Sequence, residues 1–190
     1  MSNKYITDKE FKGIDFSSGN TEKTDYENCS FINCNFANGN LDGFQFEDCT
    51  FGQCDFSNAS IRETAFRNIR FKSCKLIGLQ FDTCHPFLLS FQFHQSILNF
   101  VSFYKLKIPS TLFHDCTIIE ADFTETILSG AVFNNCNLSG TMFGNTDLSD
   151  ADLQTSTGFI IDPDRNKISG ARFSLQNLPG LLKKYNIVIG

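Results

Sequence analysis

The chain has 190 residues, enough for one domain with a sizeable core and too few for two ordinary ones. Its composition leans on one bulky side chain: 22 Phe stand beside no Trp, four Tyr and two Met. The net charge of −5 argues against non-specific attraction to nucleic acid, which needs clustered Lys and Arg, but leaves open partners that themselves bind DNA.

The opening segment, MSNKYITDKEFKGIDF, has no apolar run of the kind a signal peptide needs, and no stretch of about 18 apolar residues follows it. The chain is therefore expected in the cytoplasm and off the membrane. A period of five begins at Ile6 and runs through Phe11, Phe16, Tyr26, Phe31, Phe36, Leu41, Phe46, Phe51, Phe56, Ile61, Phe66, Phe71, Leu76, Phe81 and Phe91. Thr21 and Pro86 are the exceptions.

Around residues 85–97 the frame breaks. The segment His85-Pro86-Phe87-Leu88-Leu89-Ser90 adds two residues to the count, which must bulge from a corner or loosen one coil. The pattern favours a kink between two stacks; a functional loop is the other reading. The period then resumes at Leu98 and continues through Phe103, Ile108, Phe113, Ile118, Phe123, Leu128, Phe133, Leu138, Phe143, Leu148 and Leu153. At 41% hydrophobic residues overall, twelve such successes in a row arise by chance about 2 times in 100,000. The period is a property of the fold.

Five matches neither the 3.6 of a helix nor the 2 of a strand. It fits a coil of four sides, one pentapeptide to a side, with the central residue pointing to the axis and about 20 residues to the turn. Roughly seven coils stacked at the inter-strand spacing of about 4.8 Å make a rod of about 35 Å. The expected fold class is all-β, a right-handed quadrilateral β-helix over residues 1–155, with residues 156–190 as a C-terminal cap.

A second inward position lies two residues before each centre, where only a small side chain fits beside a Phe. All eight cysteines fall there: Cys29, Cys34, Cys49, Cys54, Cys74, Cys84, Cys116 and Cys136. They share it with Ala59, Ala121, Thr64 and Thr126, so cysteine serves as a small buried apolar residue and reduced packing is expected. The other positions are rich in Asn, Asp, Ser and Gly, the residues of tight turns.

The tail, SLQNLPGLLKKYNIVIG, carries the means to close the open end of a solenoid. Ser174 or Asn177 is placed to cap a short helix with Pro179 in its first turn, and Leu178, Leu181, Leu182 and Tyr185 form its apolar face. Ile187, Val188 and Ile189 read as a short strand. Capping and a two-fold dimer joined tail to tail are both open.

Enzyme signatures are absent: there is no phosphate-cradling Gly-rich loop, no HExxH, no GxSxG and no zinc-like Cys/His spacing. His85, His94 and His114 read as surface or corner residues. No catalytic residue, metal ligand or cofactor is expected. The candidate partner-binding feature is charge. Residues 111–162 hold Asp115, Glu120, Asp122, Glu125, Asp147, Asp150, Asp152 and Asp162 and neither Lys nor Arg, whereas residues 61–110 hold seven bases against two acids. By the five-residue count the acids fall on all four sides of the rod, as solubilising corners would.

Runs such as FINCNFANGNL, GAVFNNCNLSGTMF and TDLSDADL resemble the pentapeptide-repeat family over roughly residues 6–155. The resemblance implies the quadrilateral β-helix. In Qnr-type, gyrase-binding members it further implies a homodimer through a C-terminal helix, and an acidic rod that mimics DNA in the grip of DNA gyrase or topoisomerase IV. A scaffold that presents a flat β face to a different protein is the alternative.

Overall fold

A computed structural model describes residues 4–18 and 22–188. The chain winds as a parallel β-solenoid with four walls. The first wall stacks β1 (Lys4–Thr7), β3 (Thr24–Glu27), β5 (Gln45–Glu47) and β7 (Ala65–Arg67). The second stacks seven strands in chain order: β2 (Glu10–Lys12), β4 (Ser30–Ile32), β6 (Thr50–Gly52), β8 (Ile69–Lys72), β9 (Phe91–His94), β10 (Leu112–His114) and β11 (Val132–Asn134). The third and fourth walls are ladders of single bridges, such as Asp15 to Asn35 to Asp55 to Lys75, and Ser102 to Asp122 to Met142.

The core is a set of ring columns. On the second wall Phe31, Phe51, Phe71, Phe93, Phe113 and Phe133 lie face to face at centroid distances of 4.7–5.4 Å. Neighbouring columns meet edge to face, the arrangement the ring quadrupole prefers. The stacking follows directly from the register: ladder pairing sets each Phe over the Phe one coil earlier.

Corners are made by backbone conformation. Two residues after most centres the chain enters the left-handed region, as at Asn28, Asn33, Asn38, Asp48, Asn58, Asp115 and Asp150, which all have φ between 50° and 58°. Asn, Asp and Gly bear this conformation at the least cost, which is why the corners are polar.

The frame break does not kink the rod. One coil carries 22 residues, so Phe71 pairs with Phe93 and Lys75 with Ile97, and the Phe71 and Phe93 rings are 6° from parallel. The surplus is taken up where the first wall would continue. Phe91 turns inward beside Phe93, while Phe87 and Leu88 stand out of the surface, 60% and 63% exposed. Leu88 sits at φ 59°, a conformation a branched side chain adopts at a cost.

At the other end, coil bridges continue to Arg172, past the boundary at residue 155 that the five-residue count suggests. The count stops early because Phe159 and Ile161 fill the interior out of period, with Ser156 and Asn166 buried beside them. The cap then consists of α1 (Pro179–Leu182) between two short 3-10 turns. Neither expected N-cap works as one. Ser174 makes no capping bond, and the Asn177 side chain instead donates to the carbonyls of Leu153 and Ser156, at 3.1 and 2.7 Å, pinning the cap to the coil below. Ile187 and Val188 form no strand and pair with no segment among the described residues, and Ile189 lies outside them.

Gly180 sets how closely the cap sits. Its carbonyl accepts from the Ile161 amide at 3.1 Å, and a Cβ there would collide with the Phe159 carbonyl and press on its ring at 3.1 Å. Gly180→Ala is therefore expected to lift the cap, costing about 1–3 kcal/mol. Increased binding of a hydrophobic dye and a lower thermal midpoint are the readouts; an unchanged midpoint contradicts this docking.

Candidate functional site

All eight cysteines are buried and free. Their position has a chemistry that volume alone does not reveal: the side chain donates to the carbonyl of a central residue 23 positions earlier. Thr64, Thr126, Thr141, Thr146 and Ser156 make this bond at 2.6–2.8 Å. Cys54, Cys74, Cys116 and Cys136 make the longer thiol version at 3.3–3.5 Å. Small size and a donor are both wanted there, so Cys, Thr and Ser interchange with Ala.

Burial pushes the Cys49 thiol up to about 12, and raises Cys34 and Cys84 as well. A thiol raised in the folded state stabilises the fold fully below its unfolded value, about 8.5, and loses that contribution as pH climbs toward the folded value. Thermal stability should therefore fall between about pH 9 and pH 11, and Cys49→Ala should flatten that slope. An identical slope in the variant contradicts the assignment. Such thiols are also expected to resist labelling at neutral pH until coils open.

The seven belt acids have two kinds of local duty. Asp122, Asp147 and Asp152 each precede a centre by one residue, and their Oδ1 atoms accept the amides of Thr124, Ser149 and Gln154 at 2.8–3.1 Å. These bonds fold the turn on itself. Asp115, Glu120, Glu125 and Asp150 are the left-handed corner residues, with φ of 53–58°. An Asp directly before a large apolar centre is the signal that identifies the first kind.

Several acids are also neutralised by a base one coil away. Glu125 pairs with Lys105 at 3.6 Å, Asp147 with Lys167 at 3.5 Å and Asp152 with Arg172 at 3.8 Å. Asp115 meets His114 at 3.3 Å, and Asp162 meets Lys184 at 2.6 Å. The Ser149 bonds, with help from Lys167, hold the Asp147 carboxyl below the usual range, and Lys184 does the same for Asp162. Apart from the adjacent His114 and Asp115, the partners stand 20 or 22 residues apart in sequence, a spacing that becomes readable once the coil length is known. Glu120, Asp122 and Asp150 make no ion pair among the described residues.

Sorted by wall, the charges are not evenly spread. The first wall carries Asp8, Glu27, Glu47, Asp48, Asp147 and Asp150 with Arg67, Lys107 and Lys167, and the adjoining fourth carries Asp42, Glu63, Asp82, Asp122, Glu125 and Asp162 with Arg62, Lys105 and Arg165; Asp115 and Asp152 stand on the second wall and Glu120 on the third, so the belt itself reaches all four sides, as the count suggests. The second wall carries exposed Arg70 and Lys72 at mid-height. At the capped end Leu175, Tyr185, Ile187 and Val188 are exposed, Leu178 and Leu182 lie at the edge, and Leu181 packs down on the core. Among the described residues no group of three or more His, Cys, Asp and Glu side chains is placed to hold a metal, and no helix is long and apolar enough to cross a membrane.

A search among curated proteins finds no match. Among solved structures, the rod is similar to a trypsin-treated variant of QnrB1, a plasmid-mediated fluoroquinolone resistance protein, with a TM-score of 0.65, 19% identity and the full length of both chains covered. It is also similar to HetL, a pentapeptide repeat protein involved in heterocyst differentiation regulation in the cyanobacterium Nostoc, with a TM-score of 0.51, 15% identity, and 90% of this chain and 83% of HetL covered. At these identities the likeness speaks to fold. The family descriptions "Pentapeptide repeat region" and "Pentapeptide repeats (8 copies)" match residues 24–92, a stretch that includes the enlarged coil, and residues 118–154. With the coil geometry and these matches in agreement, the chain belongs to the pentapeptide-repeat family.

Proposed function

We propose that the rod is a non-enzymatic binding protein, that it works as a dimer, and that it lays its first and fourth walls in the basic, DNA-gripping groove of DNA gyrase or topoisomerase IV, protecting the enzyme from quinolones or toxins. The observation that carries this reading is the bias of fixed carboxylates toward two adjoining walls of a rigid rod, with Glu120, Asp122 and Asp150 free of ion pairs around the same coils. Carboxylates held at ladder spacing present a basic groove with the charge it otherwise meets in phosphates. The likeness to QnrB1 over the full length of both chains supports the same reading.

Gyrase supercoiling and topoisomerase IV decatenation with and without a quinolone, at several salt concentrations, test it. Added protein should alter supercoiling or relieve the drug, and the effect should weaken as salt rises. The combined variant Glu120→Gln, Asp122→Asn, Asp150→Asn removes three charges while Asn keeps the acceptor that folds the Asp122 turn. It should weaken the effect about tenfold or more. Indifference of both enzymes at every salt concentration sinks the proposal.

The bulge supports a second reading, a scaffold gripped by another protein at Phe87 and Leu88, two adjacent large apolar side chains that stand 60% and 63% exposed. Under that reading Phe87→Ser with Leu88→Ser abolishes capture of a non-topoisomerase partner, and gyrase is unaffected by the unaltered protein.

A further inference from the structure

Six bases find a carboxylate one coil away, as Arg67 finds Glu47 at 3.4 Å and Lys75 finds Asp55 at 3.8 Å. On the second wall at mid-height two bases that are unpaired among the described residues share a ladder with two imidazoles. Arg70 is stacked between Thr50 and Gln92, and Lys72 between Gly52 and His94. Both bases are exposed, and among the described residues neither joins an ion pair. The column continues upward through His94 to His114, whose rings lie 5.9 Å apart. Asp115, the carboxylate beside them, is engaged by His114.

We infer that Arg70, Lys72, His94 and His114 form a docking strip for a short chain of linked phosphates. The wall is flat, so it has no cleft in which to select an apolar ligand. What it offers is a row of donors at a fixed pitch of about 4.8 Å, three rungs spanning about 10 Å. A lone carboxylate meets one or two of these groups, whereas a chain of phosphates meets all four, with the Arg70 guanidinium matched to two phosphate oxygens. Two imidazoles one rung apart also suggest a transition metal, but Arg70 and Lys72 repel a cation from that place. The inference uses a different wall from the topoisomerase reading and stands or falls separately.

The groups around His94 give the strip a pH dependence. Partial burial, then His114, Lys72 and Arg70, hold the His94 imidazolium below its ordinary range, with Asp115 opposing weakly. A bound polyanion reverses the local field, so binding takes up protons and tightens as pH falls through the imidazole range.

Tripolyphosphate titrated into the full chain, with the imidazole signals followed by NMR, tests this. His94 and His114 should both shift and saturate, with affinity about threefold to tenfold higher near pH 5.5 than near pH 7.5. Arg70→Gln with Lys72→Gln should abolish saturation, while Lys105→Gln, a base on the fourth wall, should leave it intact. A single-stranded oligodeoxynucleotide run in parallel separates the sources of phosphate: saturation by either ligand supports the strip and says whether it takes free polyphosphate or a nucleic-acid backbone. Saturation by neither, retention in the double variant, or an equal response to sulfate at matched ionic strength overturns the inference.

Discussion

Phe51→Ala is expected to lower the free energy of unfolding by about 3–5 kcal/mol, a large share of the stability of an ordinary domain. Phe51 is fully buried and lies between Phe31 at 4.8 Å and Phe71 at 5.2 Å, with Phe36, Phe46 and Phe56 edge-on at 5.0–5.8 Å. Two features keep the resulting cavity open. Ladder bonds hold the coils at fixed spacing, so the walls cannot close in, and each coil touches only its neighbours, so no distant element can shift into the gap. Phe143, 9% exposed and stacked on Phe123 at 5.6 Å near the capped end, should cost clearly less when changed to Ala. Urea unfolding followed by circular dichroism compares the two. Equal midpoints for Phe51→Ala and the unaltered chain contradict the column packing.

What could be read before the structure is what volume encodes. Phe31, Phe51 and Phe71 recur because one large ring fills one wall's share of the interior, and Cys34, Cys54 and Cys74 recur because a small side chain must sit beside the next ring. Positions governed by conformation or by partners one coil away were less legible. Asp147 looks like part of an acidic belt in sequence, yet it folds a turn through Ser149 and pairs with Lys167. The break at Pro86 looks like a boundary between stacks, yet the ladder passes through it, because two surplus residues cost little when they bulge from one corner. Phe159 and Ile161 fill the last coil out of period, so the count ends before the solenoid does. Of the candidate site, the acids and their spread over all four sides followed from the count, but the turn bonds and the ion pairs one coil away that engage them needed the stacked coils.

Aspartates at Leu175 and Val188 are expected to convert a tail-to-tail dimer into a monomer. Leu175 is 86% and Val188 98% exposed, and Tyr185 and Ile187 are each 56% exposed. Leu181, by contrast, packs against the last coil, so the cap divides into a face that closes the rod and a face left to solvent. A second copy related by a two-fold axis would bury the outer face against its own like, each large apolar side chain contributing about 1.5–3 kcal/mol. A carboxylate placed there must be buried unpaired or keep the copies apart, which should weaken association at least about 100-fold. Light scattering at micromolar concentration should then report half the mass for Leu175→Asp with Val188→Asp, with the solenoid's circular dichroism unchanged. A monomeric unaltered chain, or an undiminished mass in the variant, contradicts the dimer. Truncation after Phe173 is the blunter test, since it also removes Leu181 and Asn177 and uncovers Phe159; the two aspartates touch only the outer face, so a loss of mass in that variant is assignable to the seam between copies.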